Sequence, residues 1–254
     1  ASNAVAVLRF DRHSGRNMRR KIPGWRYSAL DSWPLTHARV SGLRDGNRRI
    51  AASLWQSCRD KALESRLKST SGSEMSEKFE TIAIADLMAQ SGVGFGTSGA
   101  RGLAEAMTDR VCYLYTVGFV QYLEKADLVH PGDAVALAGD FRPSSPRIMA
   151  AAAAAICDLG YQPVNCGHVP TPAVACYAIA EGIASLMVTG SHIPDDRNGI
   201  KFNRPDGEIL KADEAGIREQ LVCLERALFD ENGRFCDAPA LPAEDGTAYR
   251  RYVS

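Results

Sequence analysis

The sequence has no run of apolar residues approaching the roughly 18 needed to span a bilayer, and no membrane partner is expected. Its alanine-rich stretch, IMAAAAAAICDLG, is too short and reads as a packed helix. It also has no CxxC pair. The seven cysteines (Cys58, Cys112, Cys157, Cys166, Cys176, Cys223 and Cys236) are scattered and odd in number. Most sit in apolar patterns, which predicts buried thiols in a reducing compartment and a cytoplasmic protein. No internal repeat is present. The first residues, ASNAVAVLRFDRHSGRNMRR, place the apolar run before the basic one, the reverse of a secretory leader.

What is present is ordinary globular composition, 45% hydrophobic and 24% charged over 254 residues. That length suits one large or two small domains. The formal charge of zero hides a split. Residues 1–74 carry 15 Lys+Arg and 6 Asp+Glu, a charge of +9; the other 15 and 24 leave −9 on residues 75–254. All three tryptophans lie in the basic part. Residues 1–74 therefore read as a basic extension, either disordered or non-native sequence upstream of a start at Met75, residues 75–92 as a helix-like lead-in, and 93–232 as the domain itself. Residues 233–254 read as a linker and the start of a second domain.

Within 93–232 the pattern is strand, helix, strand, helix, strand. DAVALAGD, QPVNCGHV and ASLMVTGS are strands. Helices run from Asp109 to Lys125 behind a Thr108 cap, through PRIMAAAAAAICDLG behind Ser144 or Ser145, and through TPAVACYAIAEG behind Thr171. GIKFNRP is a further strand, and KADEAGIREQLVCLERALF a long amphipathic helix. This rhythm predicts an α/β fold, a mainly parallel sheet with helices on both faces. Ligands in such folds sit beyond the carboxyl ends of the strands. Three loops meet there: AGDFRPSSP, GHVPTPAV and VTGSHIPDDRNG.

GFGTSG, Gly94 to Gly99, matches G-x-G-x-x-G, but no good strand precedes it and the acidic position about 20 residues on falls inside a helix. Nicotinamide binding is excluded. The glycine-rich loop with Thr97, Ser98 and Arg101 still suits an anion, and a tight surface turn with Arg101 solvated fits the spacing equally. In GDFRPSSP, Arg142 stands beside a helix start, which favours an anion, but taken alone the motif reads as an ordinary turn with Asp140 and Ser145 as local caps and Arg142 paired with a carboxylate. His168 reads as a structural loop histidine. In TGSHIPDDRNGIKF, Ser191 and His192 are neighbours with no third orienting residue, and the stretch is not G-x-S-x-G, which disfavours a hydrolase. A serine on an exposed strand-end loop can instead carry a phosphoryl group, with His192, Arg101 and Lys201 as donors or proton carriers. A solvated turn over Asp195 to Asn198 is the bland alternative.

Four motifs in order, FGTSGARG at 95–102, GDFRPSSP at 139–146, GHVPTP at 167–172 and VTGSHIPDDRNGIKF at 188–202, resemble the α-D-phosphohexomutase family. Within it they resemble most the bacterial phosphomannomutase/phosphoglucomutase enzymes. The resemblance covers about Gly94 to Asn232, the family's first domain. It implies exchange of phosphate between the 1- and 6-positions of a hexose through a 1,6-bisphosphate. Ser191 would be the phosphorylated serine, Lys201 the general acid/base, and Arg101 and His192 donors to phosphate. Thr97, Ser98 and Arg142 would contact substrate. Mg²⁺ would bind through the phosphate on Ser191. Ile193 stands where the commonest family form has Asn. The family's D-G-D-x-D metal loop does not occur in these residues, so this piece alone is expected to be inactive.

Two other readings compete. One is a non-catalytic phosphosugar-binding or regulatory module. The other is a nucleic-acid-binding protein using the basic first 74 residues, the weaker of the two.

Overall fold

The computed structural model describes residues 78–96 and 98–254. The basic stretch 1–74 and Thr97 lie outside the described residues. In chain order the elements are β1 (Phe79–Ala83), α1 (Ile84–Ser91), β2 (Gly94–Phe95), β3 (Gly99–Leu103), α2 (Asp109–Lys125), β4 (Ala134–Gly139), α3 (Ser145–Asp158), β5 (Gln162–His168), α4 (Thr171–Glu181), β6 (Ala184–Val188), β7 (Arg197–Arg204), β8 (Gly207–Glu208), α5 (Lys211–Arg218), β9 (Leu221–Glu225) and α6 (Thr247–Val253).

A seven-stranded sheet has the order β2-β3-β7-β6-β4-β5, with β8 paired to β7. β4 pairs in parallel with both β5 and β6. The chain steps from β4 to β5, then back across β4 to β6. Right-handed crossovers in opposite directions place their helices on opposite faces. The core follows that division. Val135 and Leu137 of β4 join α2 and α3 residues in one cluster, while Ala136 and Ala138 join α4 residues in another. Ala248 of α6 belongs to the second cluster.

Parallel pairing is confined to β5-β4-β6. β7 returns from β6 through a turn with no helix, so it pairs antiparallel to β6, and β3 pairs antiparallel to β7. The glycine-rich loop proves to be this β2-β3 hairpin. Gly99 is needed at its junction with β7: a Cβ there would lie 2.0 Å from the Ile200 carbonyl oxygen.

Several local expectations are corrected. The lead-in is a strand followed by a helix. The long helix over 211–229 stops at Arg218, because LVCLE alternates with Val222 and Leu224 buried and pairs with β1. Thr108 does cap α2, accepting from the Val111 N–H. Ser144 stands at the N-cap of α3, as expected, but its hydroxyl makes no cap hydrogen bond, and the N-cap of α4 is Pro170, not Thr171. Of the described cysteines only Cys112 and Cys166 are buried; Cys157, Cys176 and Cys223 are exposed on the solvent sides of α3, α4 and β9, and Cys236 is exposed in a bend.

Phe202 of β7 is fully buried and stacks on Phe119 of α2 at 4.7 Å, joining the sheet to its helix layer. Phe202→Ala should destabilise the fold by about 3–5 kcal/mol. Urea unfolding checks this, and a loss below about 1 kcal/mol would contradict the packing described.

Candidate active site

The ends of β4, β5 and β6 share one edge. The Asp140 N–H donates to the Val188 carbonyl at 2.9 Å, tying the first residue past β4 to the last of β6. His168, at the end of β5, has Nδ1 3.0 Å from the Asp140 carbonyl oxygen and stacks on Phe141, a structural placement. The turn that follows β6, residues 189–196, stands on this edge.

Ser191 lies in that turn with φ +52°, in the left-handed region that non-glycine residues enter uncommonly. Its N–H donates to Thr189 Oγ1 at 2.9 Å, and its Oγ is 3.3 Å from His192 Nδ1. Both side chains are exposed at the mouth of the edge.

The pairing of β7 supplies the cations. Lys201 sits opposite Met187 of β6 on one side and Gly99 of β3 on the other, and Arg101 sits opposite Gly199. Ser98, Arg101, Thr189 and Lys201 line one small cleft with the glycine-rich hairpin. Lys201 is partly screened, with Nζ 3.7 Å from Glu208. The structure therefore brings Arg101, Lys201 and Ser98 together in one cleft, whose lining residue Thr189 is two residues before Ser191.

Arg142 is placed differently from the expected substrate ligand. Its guanidinium points into the 189–197 segment, donating to the carbonyls of Ile193 at 2.7 Å and Pro194 at 2.8 Å. Nε lies 3.3 Å from Asp140 Oδ2.

Thr189 and Asn198 were missed from the sequence, and Asp140 was read only as a local cap. Asp140 accepts from Ser145 Oγ at 2.5 Å, from the Arg142 N–H at 3.0 Å and from the Gly190 N–H at 3.1 Å. Thr189 donates to the same carboxylate and accepts from Ser191, linking the two. Asn198, read as a solvated turn residue, is fully buried and donates to both Ser144 Oγ at 2.8 Å and Ser145 Oγ at 3.0 Å. The serine pair of GDFRPSSP, read as helix caps, was the signal: neither hydroxyl caps α3, because both are engaged across the edge.

Burial pushes the Asp140 carboxyl up, but hydrogen bonds from Ser145, the Arg142 N–H, Thr189 and the Gly190 N–H outweigh it and hold the group below its ordinary value. Among the described residues no three His, Cys, Asp or Glu side chains cluster so as to hold a metal ion.

An α/β domain with a serine-bearing turn and a cationic cleft on one sheet edge is the class these features define. The model of the family described as phosphoglucomutase/phosphomannomutase, alpha/beta/alpha domain I, matches residues 92–225. A phosphomannomutase of Sinorhizobium fredii is 50% identical over 149 residues, 58% of this chain and 31% of that protein. A phosphomannomutase of Salmonella muenchen is 48% identical over 132 residues, 52% of this chain and 27% of that protein. A phosphoglucosamine mutase of Synechococcus is 38% identical over 138 residues, 51% of this chain and 28% of that protein. The chain belongs to the phosphoglucomutase/phosphomannomutase family. It matches about a third or less of the length of these relatives.

A carboxyl held low in the folded state stabilises the fold above the ordinary aspartate range, near pH 3.9. That contribution is lost as pH falls through the lower folded value. Asp140→Asn should therefore lower the urea midpoint at pH 7, with the gap to wild type narrowing toward about pH 2. A gap independent of pH would contradict the ionised network.

Proposed function

We propose that this chain supplies the phosphoryl-carrying domain of a phosphohexomutase, of phosphomannomutase type, interconverting hexose 6-phosphate and hexose 1-phosphate. The observation that carries the reading is the cleft lined by Arg101 and Lys201 beside the turn that presents Ser191. The family membership and the phosphomannomutases among the relatives support it.

In this reading Ser191 bears the phosphate. A sugar hydroxyl oxygen attacks phosphorus, and the bond from phosphorus to Ser191 Oγ breaks. The neutral form of Lys201 takes the hydroxyl proton. The departing Oγ takes up a proton from His192, whose Nδ1 is 3.3 Å away. The guanidinium of Arg101 offsets charge on the transferring group. The product is a hexose 1,6-bisphosphate, which returns its other phosphate to Ser191 by the reverse steps. Ser98, which lines the cleft, is proposed to contact substrate, and so is Thr97. Arg142 is not assigned that role, since its donors are engaged by the turn.

Mg²⁺ is the cofactor the reading implies, bound to the phosphate on Ser191. The described residues do not fit a resident cation, having no cluster of carboxylate, histidine or cysteine donors. The transfer above is accordingly derived on the chain's own side chains.

Mutase activity of the complete gene product tests the reading. Ser191→Ala should abolish it, and Lys201→Ala should lower kcat about 10²–10⁴-fold, the usual span of general acid–base catalysis. Equal activity in Ser191→Ala would overturn the carrier. Calorimetric binding of hexose bisphosphate with no turnover by the wild type would support the non-catalytic binding module in its place.

A further inference from the structure

We infer that Arg142, locked by Asp140, is the positioning residue that sets the conformation of the Ser191 turn. The inference rests on the reading of Ser191 as phosphoryl carrier for its functional meaning, and on geometry alone for the turn itself.

A guanidinium has five N–H donors in a rigid planar fork. In Arg142 all three nitrogens are directed inward. Nη1 donates to the carbonyls of Pro194 at 2.8 Å and Arg197 at 3.1 Å, and to Asp195 Oδ1 at 3.3 Å. Nη2 donates to the carbonyls of Ile193 at 2.7 Å and Ser191 at 3.4 Å. Nε faces Asp140 Oδ2 at 3.3 Å, and the side chain is 11% exposed. Four backbone carbonyls of one short segment thus converge on a single side chain. Free carbonyls of a turn ordinarily find water; here one cation replaces it.

The other half of the device is Asp140. Its carboxylate compensates the screened guanidinium and accepts from the Gly190 N–H, so the turn is held through its carbonyls by Arg142 and through an amide by Asp140. Gly190 belongs to the same arrangement. A Cβ there would lie 2.3 Å from both Cζ and Nε of Arg142, so the guanidinium can reach the carbonyls only across a glycine. The backbone of Ser191 sits at φ +52°, a conformation that persists where surrounding contacts over-determine it. These contacts do so. A lysine could not substitute: three donors on one nitrogen cannot span acceptors from Ser191 to Arg197.

Amide hydrogen exchange by NMR on the 254-residue chain tests the inference. In Arg142→Lys the amides of Gly190, Ser191, Ile193 and Arg197 should exchange at least about tenfold faster, as local opening does without global unfolding. The amide of Leu137 in the buried β4 should keep its wild-type rate. Gly190→Ala, which leaves both charged side chains in place, should give the same pattern. Millimolar guanidinium added to Arg142→Ala should restore protection in the turn. Unaltered exchange in the turn for both Arg142→Lys and Gly190→Ala overturns the inference. So does acceleration of the turn in step with Leu137, or absence of rescue. The activity of Ser191→Ala decides the carrier reading and does not enter this comparison, so the two failures are separable.

Discussion

The antiparallel insertion of β7 between β6 and β3 is the constraint on which the site depends. A strand that returned through a helix would run parallel and begin at the far edge of the sheet. By turning back directly, β7 starts where β6 ends and places Lys201 next to both β6 and β3. The same pairing sets Arg101 opposite Gly199. The approach of β3 to β7 is close enough that Gly99 has no room for a Cβ. Phe202, one residue past Lys201, anchors β7 through its stack on Phe119. Core packing and the position of the cationic cleft are thus two faces of one strand.

Electrostatic order on the edge is divided between two arginines with different tasks. Arg101 lines the cleft. Arg142 is turned inward and is neutralised by Asp140. Asp140 in turn is held ionised by hydrogen bonds from Ser145, Arg142, Thr189 and Gly190 that outweigh its burial. Preorganisation of this kind fixes a reactive oxygen and its neighbours before substrate arrives, so that little reorganisation is needed during transfer. The exposed Oγ of Ser191 then rests on a backbone defined from below.

The fold was legible where periodicity was long and unambiguous. The helix from Asp109 to Lys125 and the strands β4, β5 and β6 were readable because apolar runs and caps agreed. The end of the chain's helical pattern was not: KADEAGIREQLVCLE carries helix-compatible spacing, and only the partner strand β1 turns its last residues into β9. The direction of β7 and the β2-β3 hairpin depend on long-range pairing that single-sequence spacing does not encode. At the site, Ser191, Lys201 and Arg101 were legible as residue types in family motifs. Their neighbours Asp140, Thr189 and Asn198 were not, because each acts through hydrogen bonds to residues near or far in the chain while looking locally like a cap or a turn. Arg142 was legible both as a substrate ligand and as the partner of a carboxylate, and the second is what it does, though its grip on the carbonyls of the 191–197 turn depends on long-range packing that spacing does not encode.

The central claim is that the oxygen of Ser191 carries the phosphate. The most direct measurement is phosphosite mapping by tandem mass spectrometry after the purified complete gene product meets a hexose 1,6-bisphosphate. A single phosphate is expected on Ser191, absent without the bisphosphate or when hexose monophosphate in excess discharges it. Phosphate on another residue with Ser191 unmodified would contradict it.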